Sequence, residues 1–211
     1  MLRDWEFAFR TRGNQKNIRF AGMEKVNENI RWYALKVFFN KVFDVEKILT
    51  DEGVESYIPC TLVQVEKNGV KKEERRPVIP SLMFFRSTVR YAEKTQSALR
   101  GRAMVYTNIN REGRRTPAPI SDYEMNMFRF VTSSGEEGLD FFGDSAVTFR
   151  VGDRVRVTGG VFQGAVGHIC RIKGKKRLLV SVTGVCAVAT SFIPNCFLQK
   201  MDEDEEKPAN G

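Results

Sequence analysis

Residues 132–146 read TSSGEEGLDFFGDSA, with three serines, three glycines and four acids in fifteen positions. That is a linker's composition, so the 211-residue chain is expected to fold as two bodies, each around its own core. Leu139, Phe141 and Phe142 are the apolar residues in the stretch and would let part of it dock. Charge follows the same division. Segments 1–28, 29–134, 135–146, 147–200 and 201–211 carry net charges of +2, +6, −4, +8 and −4, which makes two basic bodies separated and trailed by acid. The ending MDEDEEKPANG has too little apolar surface to offset its chain entropy and is expected to be a disordered acidic tail over 201–211.

Several function classes drop out early. No apolar run approaches the roughly 18 residues needed to span a bilayer, and the N-terminus lacks the apolar core of about 7 residues that a secretion signal carries. A cytoplasmic location with no membrane partner is expected. Cys60, Cys170, Cys186 and Cys196 form no C-x-x-C pair and read as reduced residues, mostly in the core, rather than as metal ligands. His168 is the single histidine, and no nucleophile with an orienting base can be assembled around it. Neither enzyme activity, metal nor cofactor is expected.

In the first body, RWYALKVFF (31–39) is apolar on both alternate sets, as an interior strand is. Asn40 reads as an N-cap for a helix carrying Val42, Val45, Ile48 and Leu49 and ended by Gly53. VESYIPCTLVQVE (54–66) and the chain from Val70 flank Asn68-Gly69, a hairpin signal, because both residues tolerate positive φ. The returning half, KKEERR, reads as a solvated arm. After Pro80 comes LMFF. Leu82 and Phe84 project to one face and Met83 and Phe85 to the other, so one set packs on a helix and the second needs another apolar partner. That second set is either internal core or an uncovered docking surface on a basic domain. Residues 89–100 give a second helix, AMVYTNI a strand, and Ser121 with Glu124 the capping-box start of a third helix. Helices alternating with strands make an α+β fold, here an α/β sandwich.

The second body, 147–200, has four short β runs and no room for helices, which predicts a small five-stranded barrel. Glycines 159, 160, 164 and 167 mark bulges or positive-φ corners. Arg154, Arg156, Arg171, Lys173, Lys175, Lys176 and Arg177 oppose one acid, Asp153, and predict attraction to polyanions or to an acidic protein face. Aromatics are too sparse for a base-stacking platform.

RWYALKVF, YIPCTLVQVEKNGVKKEERRPVIPSLMFF and TPAPISDYE resemble the amino-terminal domain of the NusG family of transcription elongation factors. FRVGDRVRVTGGVFQGAVGHICRI with RLLVSV resembles that family's KOW domain, an SH3-like barrel. The resemblance divides the chain into an extension (1–28), a NusG N-terminal-like domain (29–131), the linker (132–146), a KOW domain (147–200) and the tail. GVCAVATSFIPNCFLQK, with IPS where the family commonly has FPG, is similar to the UpxY-type paralogues of Bacteroides-type bacteria, antiterminators of capsule polysaccharide operons. It implies a non-catalytic factor that sits on the clamp helices of RNA polymerase, suppresses pausing and recruits a partner through its second domain. By that resemblance the polymerase-binding residues are Ile79, Pro80, Leu82, Phe84 and Tyr106. Lys71, Lys72, Arg75 and Arg76 of the arm would contact phosphate of upstream or non-template DNA. Phe162, Thr183 and Val185 would meet a KOW partner, such as a ribosomal protein or termination factor. Thr183, Gly184 and Val185 stand where general factors have an aromatic residue, a glycine and an arginine, which puts the usual partners in question. The alternative is an RNA-binding or ribosome-associated module, with nascent RNA as partner. Met23, just before the family-like region, is a candidate start.

Overall fold

A computed structural model describes residues 29–67, 69–143 and 152–201. The readings made for the extension 1–28, for the candidate start Met23 and for tail residues 202–211 lie outside them.

The chain runs through β1 (Arg31–Val37), α1 (Val42–Asp51), β2 (Glu55–Tyr57), β3 (Cys60–Lys67), β4 (Val70–Pro77), β5 (Leu82–Ser87), α2 (Val89–Ala98) and β6 (Ala103–Val105). Then follow β7 (Thr107–Ile109), β8 (Arg115–Pro117), α3 (Asp122–Thr132) and β9 (Asp140–Phe142). The C-terminal body contributes β10 (Arg154–Val157), β11 (Val166–Ile172), β12 (Lys175–Val182), β13 (Cys186–Phe192) and β14 (Leu198–Lys200).

The first body is built on an antiparallel sheet in the order β2-β5-β1-β6. Ala34 faces Phe84 and Leu35 faces Met83 across the β1–β5 pair, so the period of two sorts side chains onto two faces. Tyr33, Leu35, Val37, Met83 and Phe85 pack with Val42, Val45 and Leu49 of α1 and Ala92 of α2. Trp32, Ala34, Leu82 and Phe84 take the opposite face, with Met125, Phe128 and Val131 of α3. β3 and β4 form a separate two-stranded arm, as do β7 and β8.

Three local expectations are corrected. Asn40 is not an N-cap: it lies at φ 57, next to Phe39 at φ 59, and α1 starts after Lys41 without a side-chain cap. VESYIPCTLVQVE breaks at Pro59, whose missing N–H stops the ladder, so β2 joins the main sheet and β3 the arm. AMVYTNI breaks at Tyr106, whose N–H donates to Ala34 O while its carbonyl accepts from Ala118 N. The capping box stands as read: Ser121 Oγ accepts from Glu124 N, and Glu124 bonds back to Ser121 N.

The C-terminal body is an antiparallel sheet in the order β14-β10-β11-β12-β13-β9. Its sixth strand comes from the stretch read as linker. Residues 140–142 pair with β13, placing Phe141 opposite Val188. Of the glycines, Gly160 and Gly164 have positive φ, whereas Gly167 is needed for close approach, because a Cβ there would lie 2.4 Å from the Leu179 carbonyl oxygen.

Candidate functional site

The sheet face carrying Leu82 and Phe84 is not open. Phe84 is wholly buried, with its ring 5.6 Å from Phe128 of α3 and 6.5 Å from Tyr57. Leu82 retains 2% of its surface. The expectation of an uncovered apolar face at these two residues is therefore corrected. The partner the alternation argument required is internal, and its source has two parts. Over Phe84 it is α3. Toward Leu82 it is the C-terminal body, because one continuous apolar cluster runs from Trp32, Leu82, Phe84 and Phe128 to Val155, Phe162, Val180, Val182 and Val185.

The seam between the bodies is specific. A cavity of about 340 Å³ is lined by Lys36, Ile79, Ser81, Leu82, Tyr106, Gly143 and Val185, so the β12–β13 turn hangs over the far end of the β1–β5 face. Ile79 and Tyr106 are half-buried there and Pro80 is exposed. At the turn, Thr183 N and Oγ1 donate to Glu124 Oε1, at 3.3 and 2.7 Å. The other carboxylate oxygen accepts from Ser121 Oγ at 2.9 Å. One carboxylate thus caps α3 and holds the second body's turn. Of the three residues expected to meet a partner, Phe162 and Val185 are buried and Thr183 is engaged by Glu124.

Burial pushes the Glu124 carboxyl up, but the hydrogen bonds from Thr183 and Ser121 outweigh it and leave the pKa below the usual carboxylate value. A carboxyl lowered on folding contributes stability that is present above its unfolded pKa and is lost as the pH falls through the folded one. The Thr183 contact is therefore expected to loosen as the pH falls through the lowered Glu124 pKa, on the acid side of the usual carboxylate range. Following the Thr183 amide by NMR between pH 7 and 3 checks this: its shift should titrate in the wild type and lose that titration in Glu124→Gln. A shift that titrates equally in both would contradict the assignment.

The arm does not present its four cations together. Lys72 and Arg76 face the same side as Val65 and Thr61, whereas Lys71 and Arg75 share the other side with Glu66 and Leu62. Arg75 is further tied down, donating to both Glu46 carboxylate oxygens at 3.1 and 3.3 Å and lying 5.2 Å over the Phe43 ring. Lys71, Lys72 and Arg76 remain exposed. Among the described residues no metal-binding cluster of His, Cys, Asp or Glu occurs. His168 is exposed on β11 opposite Arg154, and burial pushes the thiols of Cys170 and Cys186 up, as in packed core cysteines. No helix of the described residues is long and apolar enough to cross a membrane.

Comparison of the sequence with known proteins finds two matches. The family model described as "Transcription termination factor nusG" covers residues 30–129. The chain is also 27% identical over 172 residues to the "Transcription termination/antitermination protein NusG" of Thermus thermophilus, across 74% of this chain and 91% of that one. That alignment runs well past the NusG domain, so the likeness extends into the second body. Both descriptions name transcription termination or antitermination factors.

Sequence reasoning missed Glu124 as a contact between bodies and Lys36 as part of the seam. Glu124 was visible only as the N3 residue of a capping box, and nothing local encodes a partner 59 positions away.

Proposed function

We propose that this NusG-like chain is a transcription elongation and antitermination factor acting in the cytoplasm, docking on the clamp helices of RNA polymerase through Ile79, Pro80, Leu82 and Tyr106. The observation that carries this reading is the seam: at the apolar end of the β1–β5 face a turn of the other body, at Val185, lines one cavity with Ile79, Leu82 and Tyr106. A surface covered that way is one that an outside partner can claim. Phe84 belongs to the core in this reading and supports the face from behind. Docking requires the β12–β13 turn to leave, which also frees Val185 and Thr183, and with them the KOW-like unit, to recruit a second partner. Lys72 and Arg76 form the side of the arm suited to DNA phosphate, with Lys71 on the opposite side. The UpxY-like ending supports capsule polysaccharide operons as the target.

Capture of core RNA polymerase by the full chain tests it. Ile79→Ser with Tyr106→Ala should reduce capture at least about tenfold, about 1.4 kcal/mol, without loss of fold. Thr183→Val, which removes the hydroxyl held by Glu124, should increase capture. Unchanged capture by the double variant would reject the site.

A further inference from the structure

The second body holds a basic feature that neither the seam nor the arm uses. β11 and β12 are joined by Lys173-Gly174, both with positive φ, 50° and 77°, the mirror-image two-residue turn that fits the twist of a hairpin. The register places Arg171 opposite Lys176 and Ile172 opposite Lys175. Four cations, Arg171, Lys173, Lys175 and Lys176, are thereby fixed at one tip. Among the described residues none of them has an ion pair. Lys176 donates to Asn195 Oδ1 at 3.3 Å, a neutral acceptor. The acids nearby are engaged elsewhere, Asp140 by Arg177 and Asp153 by Lys200. The tip lies at the opposite end of β12 from the turn held by Glu124. Eight residues separate them, about 25 Å of strand, so the tip is free whether or not the second body is seated.

We infer that this hairpin tip binds the phosphate backbone of a nucleic acid without reading its sequence. A protein partner would need apolar or aromatic anchors at the centre of the contact. The four cations surround none: Ile172 is packed against the small cluster of Cys170, Leu179 and Ala189, and the exposed Phe192 lies at the edge of the patch, opposite Arg177. Three of the four cations are lysines, point charges suited to phosphate, whereas base edges are read best by arginine forks or amides. Among the described residues the aromatic beside them is the exposed Phe192, opposite Arg177 at the edge of the patch; one ring is not a row on which successive bases can stack, so the binding should be mainly electrostatic and salt-dependent.

The test uses the full chain and fluorescent 20-nucleotide single-stranded RNA, 20-base-pair DNA and poly-glutamate, titrated at several salt concentrations. Neutralising Arg171, Lys173, Lys175 and Lys176 to glutamine should weaken nucleic-acid binding at least about tenfold. It should also flatten the log K against log salt slope by about 2 to 3 for single-stranded RNA, roughly 0.7 for each phosphate that is no longer neutralised. Lysine-to-arginine exchange at 173, 175 and 176 should retain binding, and Lys47→Gln with Lys94→Gln should leave it unchanged. The RNA and duplex arms say which backbone is preferred. An unchanged slope in the quadruple variant, an equal weakening in the Lys47/Lys94 control, or poly-glutamate binding as tight as RNA would each overturn the inference. Polymerase capture by the quadruple variant should stay at the wild-type level, which keeps this result separate from that of the docking face.

Discussion

Replacing Phe84 by alanine is expected to destabilise the protein by about 3–5 kcal/mol, the range for emptying a fully packed aromatic site. Phe84 is entirely enclosed, between Phe128 on α3 and Tyr57 on β2, and neither neighbour can collapse into the void without moving its own element. Urea denaturation followed by circular dichroism measures the loss. Because the same apolar cluster continues into the C-terminal body, one transition should move. Pro80→Ala nearby, at an exposed position, should change stability by less than about 0.5 kcal/mol. A Phe84→Ala loss under about 1 kcal/mol would mean that this residue stands at a yielding surface and that α3 does not pack as described.

The second large effect is expected at Gly167. A side chain there meets the Leu179 carbonyl oxygen at 2.4 Å and Leu178 Cγ at 3.1 Å, so Gly167→Val must push β11 away from β12 at the centre of the second sheet. Backbone atoms cannot swing aside as a flexible side chain can, and the loss should be at least about 3 kcal/mol. Gly174→Ala is the contrast. That residue has φ 77 but open space around its Cα, so only the left-handed penalty applies, about 1–2 kcal/mol. Thermal melting of both variants checks the order, and an equal loss would show that conformation, not close approach, dominates at Gly167.

The two-sidedness of Leu82-Met83-Phe84-Phe85 was legible because strand alternation is a local property, and both sides did receive apolar partners. What could not be read was which partner. The cover over Leu82 comes from the region of Val185, about a hundred residues later, and hydrophobic periodicity carries no address. The Ser121/Glu124 box was legible for the same local reason, while the bonds from Thr183 to that carboxylate were not. Two misses had readable causes. Pro59 lacks the N–H that a continuous strand through 54–66 would need, and the Phe39–Asn40 pair took the left-handed region, which asparagine tolerates, so the helix began later. The acid and glycine of 132–146 outweighed Asp140, Phe141 and Phe142 in the reading as a linker, although a three-residue strand needs only an open edge, and β13 supplies one.

That strand also sets how far the two bodies can part. β9 is hydrogen-bonded to β13, so in the docking proposed above β9 would travel with the second body, and the leash would shorten to residues 133–139, seven residues spanning at most about 25 Å. A leash that short keeps the β12–β13 turn at an effective concentration on the order of millimolar around Glu124. Recapture is then rapid and intramolecular, adding to the shared apolar cluster and the two Thr183 hydrogen bonds that hold the seam, and any competitor must outbid a neighbour that never diffuses away.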